Sequence, residues 1–248
     1  MFELAGKTVL VTGAAKRIGN AISVGLARQG CNVIIHYDKS ESEAKKLHDE
    51  MAELGVKSWP VQASLKDSES CRALIDKSHG LAGTVDMLVN NASVFSSGDI
   101  GAVRLEDIEV EMLTNAWAPF LLSRHFSKKT DRGKIVNILD TRVAGYDLNH
   151  FAYYLSKRML EILTESMALK LAPRITVNGI APGLILPPQG KDYNYLEQKK
   201  DTVPLKKIGS PSDIVETVLF LLRSDFVTGQ VVYVDGGKHL IKTIEGLQ

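Results

Sequence analysis

Tyr153 and Lys157 stand four residues apart, a spacing that puts both side chains on one face of a helix. A phenol is a poor acid or base at neutral pH because its pKa is about 10. An ammonium group one turn away favours the phenolate, so we expect Lys157 to lower the pKa of Tyr153 and to suit it to proton transfer. Tyr154 and Arg158 repeat the spacing on another face, and such pairs are often plain surface contacts. The first pair predicts a proton-transfer site because a strand-end carboxylate and a dinucleotide-type turn accompany it.

Asp140 is that carboxylate, and it ends an apolar run over residues 135–139. An ionised carboxylate only accepts hydrogen bonds, and it would repel the oxyanion that develops when a ketone is reduced. It suits a substrate that is rich in N–H donors or that is reduced at a C=N bond, where a carboxyl group can relay a proton. The alternative is that Asp140 caps the next turn or pairs with Arg142, which would indicate a degraded site.

A glycine-containing turn, Thr-Gly-Ala-Ala-Lys-Arg-Ile-Gly, follows the first predicted strand at residues 12–19. Gly13 and Gly19 permit a tight turn and a close approach of helix and strand, which leaves backbone N–H groups facing a pyrophosphate. Lys16 and Arg17 place two positive charges at a helix N-terminus, where the macrodipole disfavours them, so we expect a phosphate beside them. An ordinary turn is the alternative, but the position directly after the first strand favours dinucleotide binding.

The second predicted strand ends at Tyr37, followed by Asp-Lys-Ser. Sites for NAD usually carry an acidic side chain here, whereas the 2′-phosphate of NADP requires cations and hydrogen-bond donors. Lys39 and Ser40 supply these, and Arg17 could reach the same phosphate. Asp38 indicates NAD unless it faces solvent or pairs with Lys39, and Ser40 could instead cap the next helix. We predict NADPH as the cofactor.

Short β-branched runs alternate with longer amphipathic stretches along the chain. The predicted strands are residues 8–11, 32–36, 58–62, 86–89, 134–139, 175–180 and 231–234. The predicted helices are residues 18–29, 42–54, 68–78, 105–126, 151–171 and 211–223. Strands separated by helices of this size indicate βαβ units and a parallel sheet that is buried on both faces. We therefore expect an α/β fold, a single doubly wound Rossmann-type domain over residues 1–248 with a seven-stranded parallel sheet and helices on both faces.

The composition excludes several classes of partner. Thirty Lys and Arg against 29 Asp and Glu give a net charge of +1 without a basic block, so we expect neither nucleic acid nor an anionic membrane as the main partner. Two cysteines are too few for a disulfide framework, and no apolar run approaches the ~18 residues of a membrane span. The first residues enter a strand without the long apolar segment of a signal peptide. We expect a cytoplasmic protein.

The chain resembles the short-chain dehydrogenase/reductase family over nearly its whole length. The motifs that carry the resemblance are residues 12–19, Asn90-Asn91-Ala92-Ser93, Asn115, Tyr153-x-x-x-Lys157, Pro182-Gly183 and Asp235-Gly236-Gly237. The resemblance implies a catalytic tetrad of Asn115, Asp140 (where the family usually has Ser), Tyr153 and Lys157. It also implies that Lys157 holds the nicotinamide ribose and that Tyr153 donates the proton. Asn115 would fix a helix bend and a water leading to Lys157.

Resemblance and residue types together predict the cofactor contacts. They are Gly13, Lys16, Arg17, Ile18, Tyr37, Lys39, Ser40, Ser64, Leu65, Asn91, Ala92, Ser93, Tyr153, Lys157, Pro182, Gly183 and Leu184. The segment Pro182-Gly183-Leu184 would lie beside the nicotinamide, and Asn91-Ala92 would follow the cofactor ribose. Ser64 stands where the family often has an Asp that meets adenine, which weakens that one contact.

Three departures from the family pattern, Arg17, Ser93 and Asp140, are similar to the pteridine reductases, including the bacterial dihydromonapterin/dihydrofolate reductase branch. The resemblance implies hydride transfer to a C=N bond of a dihydropterin or dihydrofolate. The predicted substrate contacts are Arg17, Ser93, Phe95, Asp140 and Tyr153. Phe95 could stack on a flat heterocycle or could be loop core. The alternatives are a ketone or 3-oxoacyl thioester reductase of the same family and a non-catalytic cofactor-binding relative.

A polar segment at residues 187–204 follows the sixth predicted strand, and a long excursion beside a site is often a substrate lid. Tyr193 and Tyr195 would cover the ligand or pack the lid down. The family would pair the long fourth and fifth helices in a homo-oligomer, a tetramer by resemblance. The histidines show no convergent ligand pattern, so we expect no metal site.

Overall fold

A computed structural model of the protein describes residues 2–241 and 244–245. Its main sheet has seven parallel strands: β1 Thr8–Val11, β2 Asn32–Tyr37, β3 Ser58–Gln62, β4 Met87–Asn90, β5 Gly133–Ile138, β7 Ile175–Pro182 and β8 Val231–Val234. Two short strands, β6 Tyr146–Asp147 and β9 Ile244–Glu245, pair separately. The order in the main sheet is β3-β2-β1-β4-β5-β7-β8. The chain therefore reverses direction across the sheet between β1 and β4, which is the switch point where doubly wound folds bind ligands.

In the described part of the chain, eight α-helices connect and follow these strands. They are α1 Arg17–Ala27, α2 Glu41–Glu53, α3 Ser68–Ala82, α4 Leu105–Met112, α5 Ala118–Lys129, α6 Phe151–Leu171, α7 Tyr193–Glu197 and α8 Pro211–Arg223. The bounds of α6 and α8 are those predicted from the sequence. None of the helices in residues 2–241 has both the length and the apolar composition needed to cross a membrane.

Alternation along the strands explains why helices cover both faces of the sheet. Val9 and Val11 of β1 pack in a core with Ile22 of α1 and Val218 of α8. Leu10, between them, faces the other side and packs in a core with residues of α3, α5 and α6. Successive side chains of a strand point to opposite faces, so an unbroken apolar run requires cover on both. The predicted α/β fold with a seven-stranded parallel sheet is confirmed.

The predicted helix over residues 105–126 is wrong in one respect, because a π-helical turn at Leu113–Trp117 divides it into α4 and α5. The backbone N–H of Ala118 bonds to the carbonyl of Leu113, five residues earlier. Such turns interrupt α-helices mostly as single bulges, often at functional sites. Here the turn holds Asn115, whose side chain is completely buried. Hydrophobic periodicity does not register an extra residue in a turn, so the sequence pattern did not indicate it.

Candidate active site

The glycine-containing turn after β1 is bonded to the segment after β4. The Asn91 side-chain amide donates to the carbonyls of Thr12 (2.9 Å) and Gly13 (3.1 Å), and the Asn91 backbone N–H donates to Thr12 Oγ1 (2.9 Å). An added Cβ at Gly19 would lie 2.1 Å from the Gly13 carbonyl oxygen, and one at Gly13 would lie 3.0 Å from Ala92 Cα. The turn is thus packed too closely for larger side chains. This is the backbone cradle that a dinucleotide pyrophosphate needs, and the residues present fit that group.

His36 is a buried support of this turn that the sequence patterns did not single out. Its Nδ1 accepts a hydrogen bond from the Gly13 N–H (3.1 Å), and its Nε2 lies 3.2 Å from the Ala63 carbonyl oxygen. Because an N–H can only donate, Nδ1 must be unprotonated and Nε2 must carry the proton. Burial lowers the pKa of His36 to about 4, which keeps this tautomer neutral.

Both cations of the turn have protein partners in the structure, and a phosphate beside them stays a prediction. Lys16 Nζ lies 2.9 Å from Glu43 Oε1 on α2. Arg17 Nη2 donates to the Pro187 carbonyl oxygen at 2.5 Å. Both side chains are nevertheless exposed at the helix N-terminus, where they remain accessible to an anion. Arg17 also has φ +56°, a left-handed conformation that costs about 1–2 kcal/mol for a residue with a Cβ.

The residues predicted to bind the adenosine end of the cofactor follow β2 and β3. Tyr37 and Ser40 are half-buried and Lys39 is exposed. The Asp38 carbonyl accepts a hydrogen bond from the Gln62 side chain (2.9 Å). No side-chain capping bond from Ser40 to α2 is found among the described residues, so the capping alternative for Ser40 is not realised. The two predicted contacts after β3 are the half-buried Ser64 and the buried Leu65.

Tyr153, Asp140 and Lys157 meet at the carboxyl end of β5. The Tyr153 hydroxyl donates to Asp140 Oδ2 at 3.0 Å, and Lys157 Nζ donates to the Ile138 carbonyl oxygen at 2.8 Å. Tyr153 and Lys157 lie on the buried face of α6, and Asp140 lies directly after β5. Tyr154, the competing tyrosine, makes no such contact with Asp140 in the described part of the chain. The structure therefore brings together the three residues that the spacing selected.

The expectation that Lys157 lowers the pKa of Tyr153 is wrong for this geometry. Burial, followed by the negative charge of Asp140, raises the pKa of Tyr153 well above its ordinary value. Burial also lowers the pKa of Lys157 to about 8, against the opposing effect of Asp140 and Glu111. Lys157 Nζ lies 5.6 Å from the Tyr153 ring centroid and is bonded to the backbone. Tyr153 is therefore a protonated phenol at neutral pH, the state that can give a proton to a substrate.

Asn115 joins the helix bend to the loop after β4. Its Oδ1 accepts from the Val94 backbone N–H (2.8 Å) and from Ser93 Oγ (3.1 Å). Its Nδ2 lies within hydrogen-bond distance of the Val94 carbonyl (2.9 Å) and of Ser156 Oγ on α6 (3.0 Å). The residue therefore fixes the loop that carries Ser93 against the helix that carries Tyr153.

Glu111, one turn before Asn115, is a site residue that sequence reasoning missed. Its side chain is 1% exposed, and its two oxygens accept from Asn115 Nδ2 (2.5 Å) and from the backbone N–H (2.7 Å) and hydroxyl (2.8 Å) of Ser96. Burial raises its pKa, and these hydrogen bonds and the charge of Lys157 oppose the rise. The signal in the sequence was an acidic residue four before Asn115, on the same helix face.

Asp140 also has the partners that the degraded-site alternative named. Its Oδ1 accepts from the Arg142 backbone N–H (2.9 Å), and its Oδ2 pairs with Arg142 Nη1 (3.2 Å). The cap, the ion pair and the bond from Tyr153 exist together, so capping does not remove Asp140 from the tyrosine. On its other side, Arg142 Nε lies 2.6 Å from Asp147 Oδ2. Asp147 in turn accepts hydrogen bonds from the backbone N–H groups of Asn149 and His150 at 3.0 Å each.

Phe95 lies beside these residues with 42% of its surface exposed. Its ring stacks on His150 (centroids 4.6 Å apart) and meets Tyr153 edge to face (4.7 Å). The Arg142 guanidinium lies 5.4 Å from the ring centroid. The ring is therefore part of the wall around Tyr153 and not loop core, although His150 occupies a stacking position that a substrate would use.

Two further predicted segments lie at the end of β7. Gly183 lies so close to the Asp235 backbone that an added Cβ would be 2.6 Å from it, so a larger residue would not fit there. Leu184 follows Gly183. In the segment 187–204, Leu196 of α7 is buried, whereas Tyr193 is 59% exposed. Tyr195 lies under Lys199 Nζ (4.9 Å from the ring centroid). The segment approaches the site through the Arg17–Pro187 bond. Within residues 2–241 and 244–245, no three His, Cys, Asp or Glu side chains gather as a metal site.

A parallel sheet with a glycine turn at its switch point and a buried Tyr-x-x-x-Lys helix defines a nicotinamide-dependent oxidoreductase fold. The chain belongs to the short-chain dehydrogenase/reductase family: a family model described as enoyl-(acyl carrier protein) reductase matches residues 13–239.

Relatives with different activities are similar to the chain at nearly the same level. The 3-oxoacyl-(acyl-carrier-protein) reductases FabG of Staphylococcus aureus and Aquifex aeolicus are 31% and 34% identical; the matches cover 94% and 95% of this chain and 98% of each relative. The crystal structure of FolM alternative dihydrofolate reductase 1 from Brucella suis in complex with NADP is 33% identical, with a TM-score of 0.92, and the match covers 97% of this chain and 98% of that chain. Identity alone therefore does not choose between the two activities.

Proposed function

We propose that the protein is an NADPH-dependent pteridine reductase that acts on a C=N bond of a dihydropterin, such as dihydromonapterin or dihydrobiopterin, or of dihydrofolate. The observation that carries the proposal is the hydrogen bond from the Tyr153 hydroxyl to Asp140 Oδ2 at 3.0 Å. By resemblance to the family, Asp140 stands where a ketone reductase has a serine hydroxyl, and its contact with Tyr153 supports a substrate that is not a simple ketone.

The cofactor is NADP(H), which supplies the hydride when bound. Gly13, Asn91 and Ala92 would hold its pyrophosphate and ribose, because they form the closely packed backbone cradle. Lys16 and Arg17 at the turn and Lys39 after β2 are exposed cations, and they would hold its phosphates. The NADP complex of the Brucella suis relative supports this assignment.

The proton chemistry belongs to Tyr153 and Asp140. Tyr153 is a protonated phenol because burial raises its pKa, so it can donate to the nitrogen of a reduced C=N bond. Asp140 accepts from Tyr153 and from the N–H groups of a pterin ring. After Tyr153 has given its proton to the substrate, a proton taken up from solvent by Asp140 would pass to the Tyr153 phenolate. Ser93 and Phe95, which line the same wall, would contact the ring edge and face. The similarity to the Brucella dihydrofolate reductase supports a pterin or folate substrate.

The second candidate is a 3-oxoacyl thioester reductase, which the FabG relatives favour. A substrate panel separates the two functions. NADPH oxidation would be titrated against dihydrobiopterin, dihydromonapterin, dihydrofolate and biopterin, with acetoacetyl-CoA as the ketone. We expect turnover of at least one dihydropterin or dihydrofolate; turnover of acetoacetyl-CoA alone would refute the pteridine reductase proposal. NADPH binding without any turnover would indicate the non-catalytic relative.

Asp140→Ser tests the role of the carboxylate. We expect dihydropterin turnover to fall by about 100-fold, the lower end of what a positioned acid–base group contributes. We expect the NADPH dissociation constant to change by less than about twofold, because Asp140 bonds to Tyr153 and Arg142 and not to the cofactor cradle. Tyr153→Phe is the matched control for loss of the donor. Equal loss of turnover and of NADPH affinity in Asp140→Ser would refute this role.

We also propose that the protein is a homo-oligomer, a tetramer by resemblance to its family. Trp117 is 41% exposed, and Ile162 and Leu169 of α6 are 62% and 84% exposed. Light scattering with size-exclusion chromatography tests this, since a mass near 27.2 kDa would indicate a monomer.

A further inference from the structure

Asp147 is a completely buried carboxylate beside the active site, with 1% of its side chain exposed. An unpaired buried charge is costly, so the groups around Asp147 must compensate it. They are the backbone N–H groups of Asn149 and His150, the His150 ring and the Arg142 guanidinium. Burial raises the pKa of Asp147, but the hydrogen bonds from His150 and the charge of Arg142 bring it below its ordinary value. Asp147 is therefore a fixed negative charge at neutral pH.

Arg142 lies between this charge and the site. Its Nε is 2.6 Å from Asp147 Oδ2, and its Nη1 is 3.2 Å from Asp140 Oδ2. Asp140 Oδ2 is also the acceptor of the Tyr153 hydroxyl at 3.0 Å. The Arg142–Asp147 contact is the shorter of the two. It therefore favours a position of the guanidinium in which one nitrogen, and not two, contacts Asp140. A carboxylate and a guanidinium that are free to move form bidentate pairs, and such a pair would occupy Asp140 Oδ2 more fully.

We propose that Asp147 is a positioning residue for proton transfer: it limits Arg142 to a single side-chain contact with Asp140 and so leaves Asp140 Oδ2 available to Tyr153. The inference rests on the proposed role of Asp140 in the reaction. The same residue also orients His150, whose ring stacks on Phe95 at 4.6 Å. Asp147 thus positions both the Arg142 charge that faces Asp140 and the His150 ring that packs on Phe95 beside Tyr153.

Asp147→Asn is the direct test, because asparagine keeps an oxygen for the backbone N–H groups but loses the charge that holds Arg142. We expect kcat to fall by about tenfold or more, with KM and the NADPH dissociation constant within about threefold of wild type.

A double-mutant cycle separates positioning from general destabilisation. If Asp147 acts through Arg142, Asp147→Asn should change kcat by less than about twofold in an Arg142→Met background. An equal fall of kcat in both backgrounds would overturn the inference. Asp67→Asn, which removes an exposed helix cap on α3, is the control for loss of an acidic hydrogen-bond acceptor away from the site.

The cycle would use whichever substrate the wild-type protein reduces in the panel, so a failure of the pteridine reductase proposal appears in the panel and not in the cycle. A crystal structure of Asp147→Asn gives a readout without turnover. Arg142 in two-point contact with Asp140 is the expected result, and an Arg142 side chain in its wild-type position would contradict it.

Discussion

Replacing Arg17 tests two separate effects of this residue. One is the backbone strain that lowers the stability of the fold, and the other is the binding of a cofactor phosphate. Its φ of +56° lies in the left-handed region, where a residue with a Cβ is strained by about 1–2 kcal/mol. Glycine removes this strain but adds about 0.4–1 kcal/mol of unfolded-state entropy. We therefore expect Arg17→Gly to be more stable than Arg17→Ala by about 0.5–1 kcal/mol, or about 1–4 °C in Tm for a chain of this size.

Both variants lose the guanidinium and with it the bond to Pro187. If Arg17 also binds a cofactor phosphate, each should lose about 1.5–3 kcal/mol of NADPH affinity, which is roughly 10- to 150-fold in the dissociation constant. The assays are urea unfolding of the protein without cofactor and a titration of NADPH fluorescence.

Lys16 provides the matched control, because it is the neighbouring cation with an extended φ of −138°. At that backbone angle glycine has no advantage, so Lys16→Gly should be less stable than Lys16→Ala by about 0.4–1 kcal/mol. The strain argument would be refuted if Arg17→Gly were no more stable than Arg17→Ala. Wild-type NADPH affinity in Arg17→Ala would refute the phosphate contact.

Two other predictions concern the support of the same turn. Gly19→Ala should destabilise the protein by about 1–3 kcal/mol and weaken NADPH binding, because its Cβ would lie 2.1 Å from the Gly13 oxygen. Gly80→Ala, where a Cβ meets nothing within 4 Å inside α3, should instead stabilise by about 0.5–1 kcal/mol; equal effects in urea unfolding would contradict the packing argument. His36 has a pKa of about 4 in the folded protein, against about 6.5 in the unfolded chain. Between these two pH values the unfolded chain binds more protons, so the free energy of unfolding falls as the pH falls, by up to about 3 kcal/mol. Urea unfolding across this range should show a flatter profile for His36→Gln, and an unchanged slope would exclude His36 as the cause.

The fold could be predicted from the sequence because its signals are local. Apolar runs such as residues 8–11 and amphipathic stretches such as 151–171 specify strands and helices within a few residues, and the order of strands and helices implies a parallel sheet. The predicted approach of Asp140, Tyr153 and Lys157 also follows from local signals. Two of them share a helix turn, and the third ends a strand at the same sheet edge.

What the sequence did not predict depends on burial and on contacts between distant segments. The pKa of Tyr153 rises because the phenol is buried beside Asp140, whereas helix spacing alone suggested that Lys157 would lower it. The partner of Lys16 lies on the next helix, at Glu43, and a pattern within one turn contains no information about it. Glu111 bonds to Ser96 across a loop. Each of these effects requires the distance between side chains, which spacing along the chain does not give.

The π-helical turn at Leu113–Trp117 makes this stretch sensitive to chain length rather than to residue type. Each residue of an α-helix turns by about 100°, so deletion of one residue here would let α4 and α5 join as one regular helix and rotate α4 by about that angle. Glu111 would leave the buried position from which it contacts Asn115 and Ser96. Substitutions that preserve the length of this segment are therefore expected to be tolerated more readily than a single-residue gap, and a relative with such a gap should lack the buried carboxylate behind the asparagine that corresponds to Asn115.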